Sequence, residues 1–327
     1  MKTAVRIEMT RYGGPEVLRA VTAREVAPAP GEVIVAVEAA AVNRADCEIR
    51  SGKWPIQRES PFPYVPGLEL VGRVSARGER TSLAVGTPVI TMMQELGGIH
   101  GVRPGGYQSL AAVPESTLAR LPTDIELRSL AALGLAGVTA FHGVAALDVK
   151  AGQRILIQGL PGGVAICAVS IVRARGGVVV GTTRRSEKTE TLRSLGVDEI
   201  WDLEKNDWSH YLSQKVDACL EMVGGAVFGH CVSALKPGGR LCSIGALTGG
   251  PAEFSIWDLL HERHLTGWSS ENLTRDGLQR AVDELAQLLR SGKIAVPPHE
   301  TLALADAARA HAAMESGALV GRLLLIP

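Results

Sequence analysis

The chain has 327 residues, 46% of them hydrophobic and only 4% aromatic, and its 34 basic and 34 acidic residues give a formal net charge of zero. That length suggests two domains with cores of small aliphatic side chains, and the balanced charge argues against nucleic acid or an anionic membrane as partner. No apolar run reaches the ~18 residues of a bilayer span, and the alternating start Met1-Lys2-Thr3-Ala4-Val5-Arg6-Ile7-Glu8 lacks the apolar core of a signal peptide, so a cytoplasmic protein is expected.

The first 122 residues show short alternating segments such as 33–39 and 70–74, punctuated by Gly and Pro, with little helical period. This is the pattern of an antiparallel β-barrel-like domain. From residue 153 onward the pattern changes. Segments 154–158, 178–183, 199–202, 217–223, 240–245 and 264–268 read as strands, with helical patterns at 163–175, 186–195, 226–235 and 274–291. Strands alternating with crossover helices predict an α/β, doubly wound parallel sheet. Lys236-Pro237-Gly238-Gly239 reads as the turn before the fifth strand. An Ala-rich helix at 304–315 and a terminal strand at 321–326 are expected to return to the first domain. The domains are therefore expected at 1–122 with 294–327, and at 123–293.

The apolar strand 154–158 breaks into Gly159-Leu160-Pro161-Gly162-Gly163-Val164-Ala165 where a helix should begin. A glycine turn feeding a helix presents backbone N–H groups and a positive helix end to a pyrophosphate, which makes Gly159, Gly162, Gly163 and Val164 candidate cofactor contacts. The second strand ends in Thr183, followed by Arg184, Arg185 and Lys188. An acid there would hold a ribose 2′-hydroxyl, whereas arginine accommodates a 2′-phosphate, so the expected cofactor is NADPH. Val223 and Gly245 lie at the ends of later strands, where the crevice of such a sheet falls.

Five cysteines, odd in number and without a C-x-x-C pair, support neither a disulfide framework nor a structural zinc. Cys167, Cys219 and Cys242 lie in apolar runs. Cys47 is near a candidate site, and inert packing is expected of it.

Several motifs in fixed order resemble one family over essentially the whole length. They are Tyr12-Gly13-Gly14-Pro15, Ala41-Val42-Asn43-Arg44-Ala45-Asp46, Arg50-Ser51-Gly52, Val65-Pro66-Gly67-Leu68-Glu69, Gly105-Gly106-Tyr107, Ala136-Gly137-Val138-Thr139, the glycine turn, and Lys236-Pro237-Gly238-Gly239. The chain resembles the medium-chain dehydrogenase/reductase superfamily, in its zinc-independent quinone oxidoreductase (zeta-crystallin-like) branch. The resemblance implies a chaperonin-10-like substrate domain, a Rossmann domain and an active site in the cleft between them. Zinc-dependent relatives place metal ligands where this chain has Asn43, Leu68 and a position near Leu135; neither leucine can donate an electron pair, so no bound metal is expected. His100 and His142 are nearby imidazoles for which structural roles are expected.

By the same resemblance Asn43 supplies an amide donor to the acceptor, Asp46 lies close by, Thr139 sits near the nicotinamide end, and Arg322 joins the cofactor contacts. Many relatives carry a tyrosine where this chain has Trp54, leaving Tyr64 as the nearest substitute acid. The implied activity is NADPH-dependent reduction of a quinone or activated enone. Two alternatives stay open: an enoyl-thioester reductase, and a non-catalytic NADPH-binding redox sensor. The segment 264–268 should form a sheet edge, and a homodimer is expected there.

Overall fold

The computed structural model describes residues 4–24, 27–94, 96–249 and 251–327. In chain order its strands are β1 (Ala4–Glu8), β2 (Arg19–Ala23), β3 (Glu32–Ala41), β4 (Glu69–Arg77), β5 (Pro88–Met92), β6 (Leu110–Pro114), β7 (Ala119–Arg120), β8 (Arg154–Ile157), β9 (Val178–Thr183), β10 (Glu199–Asp202), β11 (Val216–Glu221), β12 (Leu235–Ser243), β13 (His264–Gly267), β14 (His299–Ala303) and β15 (Arg322–Ile326). Two compact units emerge. One takes the residues up to Leu135 together with Glu271–Ala286 and Val296–Pro327; the other takes Ala136–Ser270 and Gln287–Ala295.

The first unit is built on a seven-stranded sheet in the order β14-β15-β3-β4-β5-β7, with β6 also on β3 and a separate β1-β2 ribbon. Alternation in the sequence produces this directly: Val33, Val35 and Val37 point one way from β3 and meet Leu70, Val74, Val89, Ala111 and Val113 in one buried cluster. The barrel expectation meets one exception. β14 and β15 are parallel, which the helix Ala307–Ser316 between them makes possible. β15 then runs antiparallel to β3, with Leu324 opposite Ala41. That register carries Arg322 to the end of β3, next to Asn43.

The second unit holds a six-stranded parallel sheet in the order β10-β9-β8-β11-β12-β13. This is the doubly wound order in which the chain reverses direction between the first and fourth strands, here β8 and β11. Leu156, Val180, Cys219 and Leu241 from four neighbouring strands share one core. Among the described residues β13 lies at the sheet edge, paired with β12.

Several expectations shift. The strand expected at 217–223 ends at Glu221, because the Glu221 carboxylate accepts the N–H groups of Val223 (2.6 Å) and Gly224 (2.8 Å) and turns the chain. Lys236–Gly239 is looped out between Leu235 paired with Val216 and Arg240 paired with Ala218, so β12 begins before the turn. The helix Arg275–Arg290 packs largely with the first unit, where Gln279 bonds both backbone groups of Arg120. The domain limit at 123–293 moves accordingly. The helices Arg44–Ser51 and Leu127–Ala146 have no counterpart among the helical patterns. The second is apolar on nearly every face, so no period marks it. Leu127–Ala146 is also long and apolar enough to cross a membrane by length and composition, contrary to the count of apolar runs, but most of it is buried within the protein and it is broken at Gly134 (φ 30, ψ −137).

Candidate functional site

In the second unit β8 runs into Gln158 and then Gly159, whose φ of +77 a side chain would strain and whose added Cβ would come 2.9 Å from Met222. Gly162 closes the turn by donating to the Gly159 carbonyl at 2.8 Å and starts the helix Gly163–Ala174. That helix has no side-chain cap and no acid in its first turn. An uncapped, acid-free helix start of this kind leaves its first amides able to bond an anion. Across the switch point, Met222 also approaches Gly245, where an added Cβ would lie 3.3 Å from the Met222 carbonyl oxygen. Val223 is half-buried beside it, oriented by Glu221, whose carboxyl is raised by burial. Met222 is thus a site residue the sequence reading missed; a lone methionine after a strand carries no signal.

At the end of β9, Thr183 is buried and works inside its own loop: its hydroxyl donates to the Arg185 carbonyl at 2.9 Å and accepts the Arg185 N–H at 3.1 Å. That brace leaves Arg184 and Arg185 exposed, and among the described residues no ion pair holds either guanidinium. Ser186 anchors the other side, its hydroxyl donating to Asp202 (2.7 Å) and its N–H to Glu204 (2.6 Å), and the Ser186 hydroxyl holds Asp202 below the usual carboxylate range. Lys188 is half-buried. Thr139 is buried on the helix Leu127–Ala146, where His142 stacks on Trp268 with centroids 4.7 Å apart. His100 is exposed.

The first unit gathers Asn43, Asp46, Leu68, Glu69, Leu135 and Arg322 into one buried polar cluster. Asn43 caps the helix Arg44–Ser51, and the Asp46 carboxylate accepts both the Asn43 N–H (2.9 Å) and the Leu68 N–H (3.1 Å). Burial, with Glu69 nearby, pushes Asp46 up from 3.8 to about 7. Arg50, on the same helix, pairs with Glu315 at 2.6 Å. Tyr107 adds a further contact to Asp46 and shares a 3.1 Å hydrogen bond with His311, whose imidazole burial holds down at about 3.

The resemblance put Asn43 and Arg322 toward ligands, and in the structure both make hydrogen bonds within the first unit. Arg322 donates to Asn43 Oδ1 (3.0 Å) and to Glu69 Oε1 (2.7 Å), while Asn43 Nδ2 donates to Glu69 Oε1 (2.9 Å) and reaches the Ala41 carbonyl only at 3.4 Å. Both Nη atoms of the guanidinium are committed inside the unit, while its buried Nε has no hydrogen-bond partner among the described residues. Glu69, present in the motif but unassigned by sequence reasoning, is the hub. Its other oxygen accepts the Leu135 N–H at 2.6 Å, and a side chain at Gly134 would collide with it, so the carboxylate sits in the break of the helix. Tyr64 stands apart from this network: it is buried and its hydroxyl donates to the Gly98 carbonyl at 3.3 Å, with burial raising its phenol further. Trp54 is 40% exposed. Among the described residues no three His, Cys, Asp or Glu side chains gather as a metal-holding group. Asn43, Leu68 and Leu135 do come together, all three with backbone N–H groups on carboxylates.

Comparison with known proteins places this architecture. Residues 29–123 match the alcohol dehydrogenase GroES-like domain and residues 195–325 match the zinc-binding dehydrogenase family, together more than half of the chain. Quinone oxidoreductase of Lama guanicoe is 28% identical over 331 residues, covering 98% of this chain and 96% of that protein. Quinone oxidoreductase 1 of Escherichia coli is 29% identical over 338 residues, covering 99% and 100%. The crystal structure of Escherichia coli quinone oxidoreductase complexed with NADPH superposes with a TM-score of 0.86 at 29% identity, covering 99% of this chain and 100% of that one.

Proposed function

Because the chain belongs to the medium-chain dehydrogenase/reductase superfamily, we propose that it is an NADPH-dependent oxidoreductase that passes a hydride to a quinone or activated enone without a bound metal. The observation that carries this reading is the pairing of an uncapped, acid-free helix start after Gly162 with two exposed arginines after β9. Those features fit a dinucleotide: the amides of Gly163 and Val164 take the pyrophosphate, and Arg184 or Arg185 takes the 2′-phosphate. The glycines at 159 and 245 admit its approach where a Cβ would meet Met222.

NADPH, when bound, supplies the hydride. The protein's part is to orient the acceptor and stabilise the oxygen on which charge develops. Asn43 serves there with the one amide hydrogen not committed to Glu69, since a 3.4 Å contact to Ala41 is a weak competitor. Quinones suit this arrangement because the reduced oxygen can take its proton from solvent, whereas an enolate needs a placed donor at carbon and Tyr64 is engaged with Gly98. Glu69 is engaged by Arg322, Asn43 and Leu135, and leucine side chains offer no lone pair, so the donor set favours chemistry without zinc.

The test is substrate-dependent oxidation of NADPH over a panel of ortho- and para-quinones, enones and enoyl thioesters, before and after chelation. Quinone turnover that survives chelation is expected; activity lost together with stoichiometric zinc would end the metal-free reading. The unpaired edge of β13 is where two copies would join, and light scattering at micromolar concentration should return a dimer.

A further inference from the structure

We propose that Glu69 and Arg322 are positioning residues for the reduction: together they lock the Asn43 carboxamide in the one orientation that leaves an N–H available to the acceptor oxygen. The proposal rests on the reading in which Asn43 is that donor.

The lock follows from what each group can do. A guanidinium only donates and a carboxylate only accepts, so Arg322 at 3.0 Å identifies Oδ1 of Asn43 and Glu69 at 2.9 Å identifies Nδ2. Flipping the amide would set oxygen against carboxylate and NH2 against guanidinium, two repulsive contacts in a dry site. Glu69 and Arg322 are 1% and 3% exposed, so solvent cannot relieve them. The two holders also fix each other at 2.7 Å, and the Leu135 N–H at 2.6 Å pins the far oxygen of Glu69. Nδ2 has two hydrogens. One is held by the charge-assisted bond to Glu69; the second has only the 3.4 Å contact to Ala41. An unlocked amide would present oxygen to the acceptor for part of the time and would repel the developing charge.

The experiment combines kinetics with the side-chain amide signal of Asn43 in 1H–15N spectra, identified by its loss in Asn43→Ala. Asn43→Ala should lower kcat roughly 100-fold, as loss of one oxyanion donor does. Glu69→Gln, which turns a donor toward Leu135 N–H or Arg322, and Arg322→Lys, which cannot bridge two acceptors, should each lower kcat about 10-fold with acceptor KM and NADPH affinity within about twofold. Either substitution added to Asn43→Ala should cost nothing more, and each alone should collapse the separation of the two Asn43 amide protons. Arg322→Lys keeps the test open if Glu69→Gln does not fold. Additive kinetic losses, an unmoved amide signal, or a loss of NADPH affinity in Arg322→Lys would overturn the lock. A wild-type kcat in Asn43→Ala with the signal still collapsed by the other two variants would instead keep the lock and overturn Asn43 as donor.

Discussion

The two units treat their polar groups in opposite ways. Around Gly162 the helix start is uncapped, and among the described residues no ion pair holds Arg184 or Arg185 after β9, whereas around Glu69 the first unit turns most donors and acceptors onto one another, with Arg322 Nε left over. Open donors are what binding a dianionic or pyrophosphate group requires. A closed network holds one side chain still, which is what orienting an uncharged acceptor requires. Damage should therefore appear as lost affinity in the second unit and as lost stability or kcat in the first.

The largest expected effect lies in the closed network and concerns pH. Asp46 titrates at about 7 in the folded protein against 3.8 unfolded, so between these values the folded state holds the extra proton and stability falls as pH rises, by about 4 kcal/mol in all. His311, held at about 3 against 6.5, has the opposite sign. The unfolded chain takes that proton, so the contribution is complete above 6.5 and is lost as pH falls, by roughly 5 kcal/mol. Between pH 4 and 6.5 the two slopes cancel. Urea denaturation across this window should show His311→Gln losing stability with rising pH and Asp46→Asn gaining it. Slopes parallel to the wild type in both variants would show that neither group titrates this way.

Next in size is a pair of glycines, one from each unit. Gly134→Ala drives a Cβ into the buried Glu69 carboxylate, which has nowhere to move, and should cost about 3 kcal/mol or more in urea denaturation. Gly159→Ala meets only the flexible end of Met222 and should cost about 1–2 kcal/mol, the strain of a left-handed residue, with NADPH affinity lowered as well. Equal costs would mean that the network is softer than its hydrogen bonds imply.

How much of this could be read beforehand divides along the same line. The glycine turn before the helix Gly163–Ala174 and all six strands of the parallel sheet were legible, because a turn concentrates its signal within a few residues and buried parallel strands are short apolar runs. The closed network was not legible. Its members are brought together by the β3–β15 pairing, across 253 and 279 residues from Arg322 to Glu69 and Asn43. Glu69 stood in a recognised motif, yet nothing local says that a carboxylate will break a helix at Gly134. Asn43 was read as an amide donor with Asp46 close by, without its bonds to Glu69 and Arg322, since the spacing of a motif does not reveal which hydrogen bonds are already made.

The open side is tested by Arg184→Ala and Arg185→Ala, measured separately. Removing a charge-assisted bond to a 2′-phosphate costs about 1.5–3 kcal/mol, or roughly 10- to 150-fold in NADPH affinity, and should leave NADH binding nearly unchanged. Whichever arginine shows this selectivity is the phosphate ligand. Equal losses for both cofactors would assign the loop a folding role, as the Thr183 brace and the Ser186 anchors already do for its backbone.

Tyr64→Phe should have the smallest effect, and its smallness is the point. The hydroxyl donates to a backbone carbonyl at 3.3 Å, a long bond, so its loss should cost about 1 kcal/mol of stability, most of it from leaving the Gly98 oxygen less well satisfied. Its phenol is raised by burial and by the Asp46 carboxylate, which makes it a poor proton source at neutral pH. Quinone reduction in Tyr64→Phe should stay within about twofold of wild type, because a reduced quinone oxygen draws its proton from solvent. If the variant kept quinone turnover but abolished reduction of enoyl thioesters, Tyr64 would leave Gly98 during catalysis to act as the acid at carbon, and the first unit would hold an open donor after all.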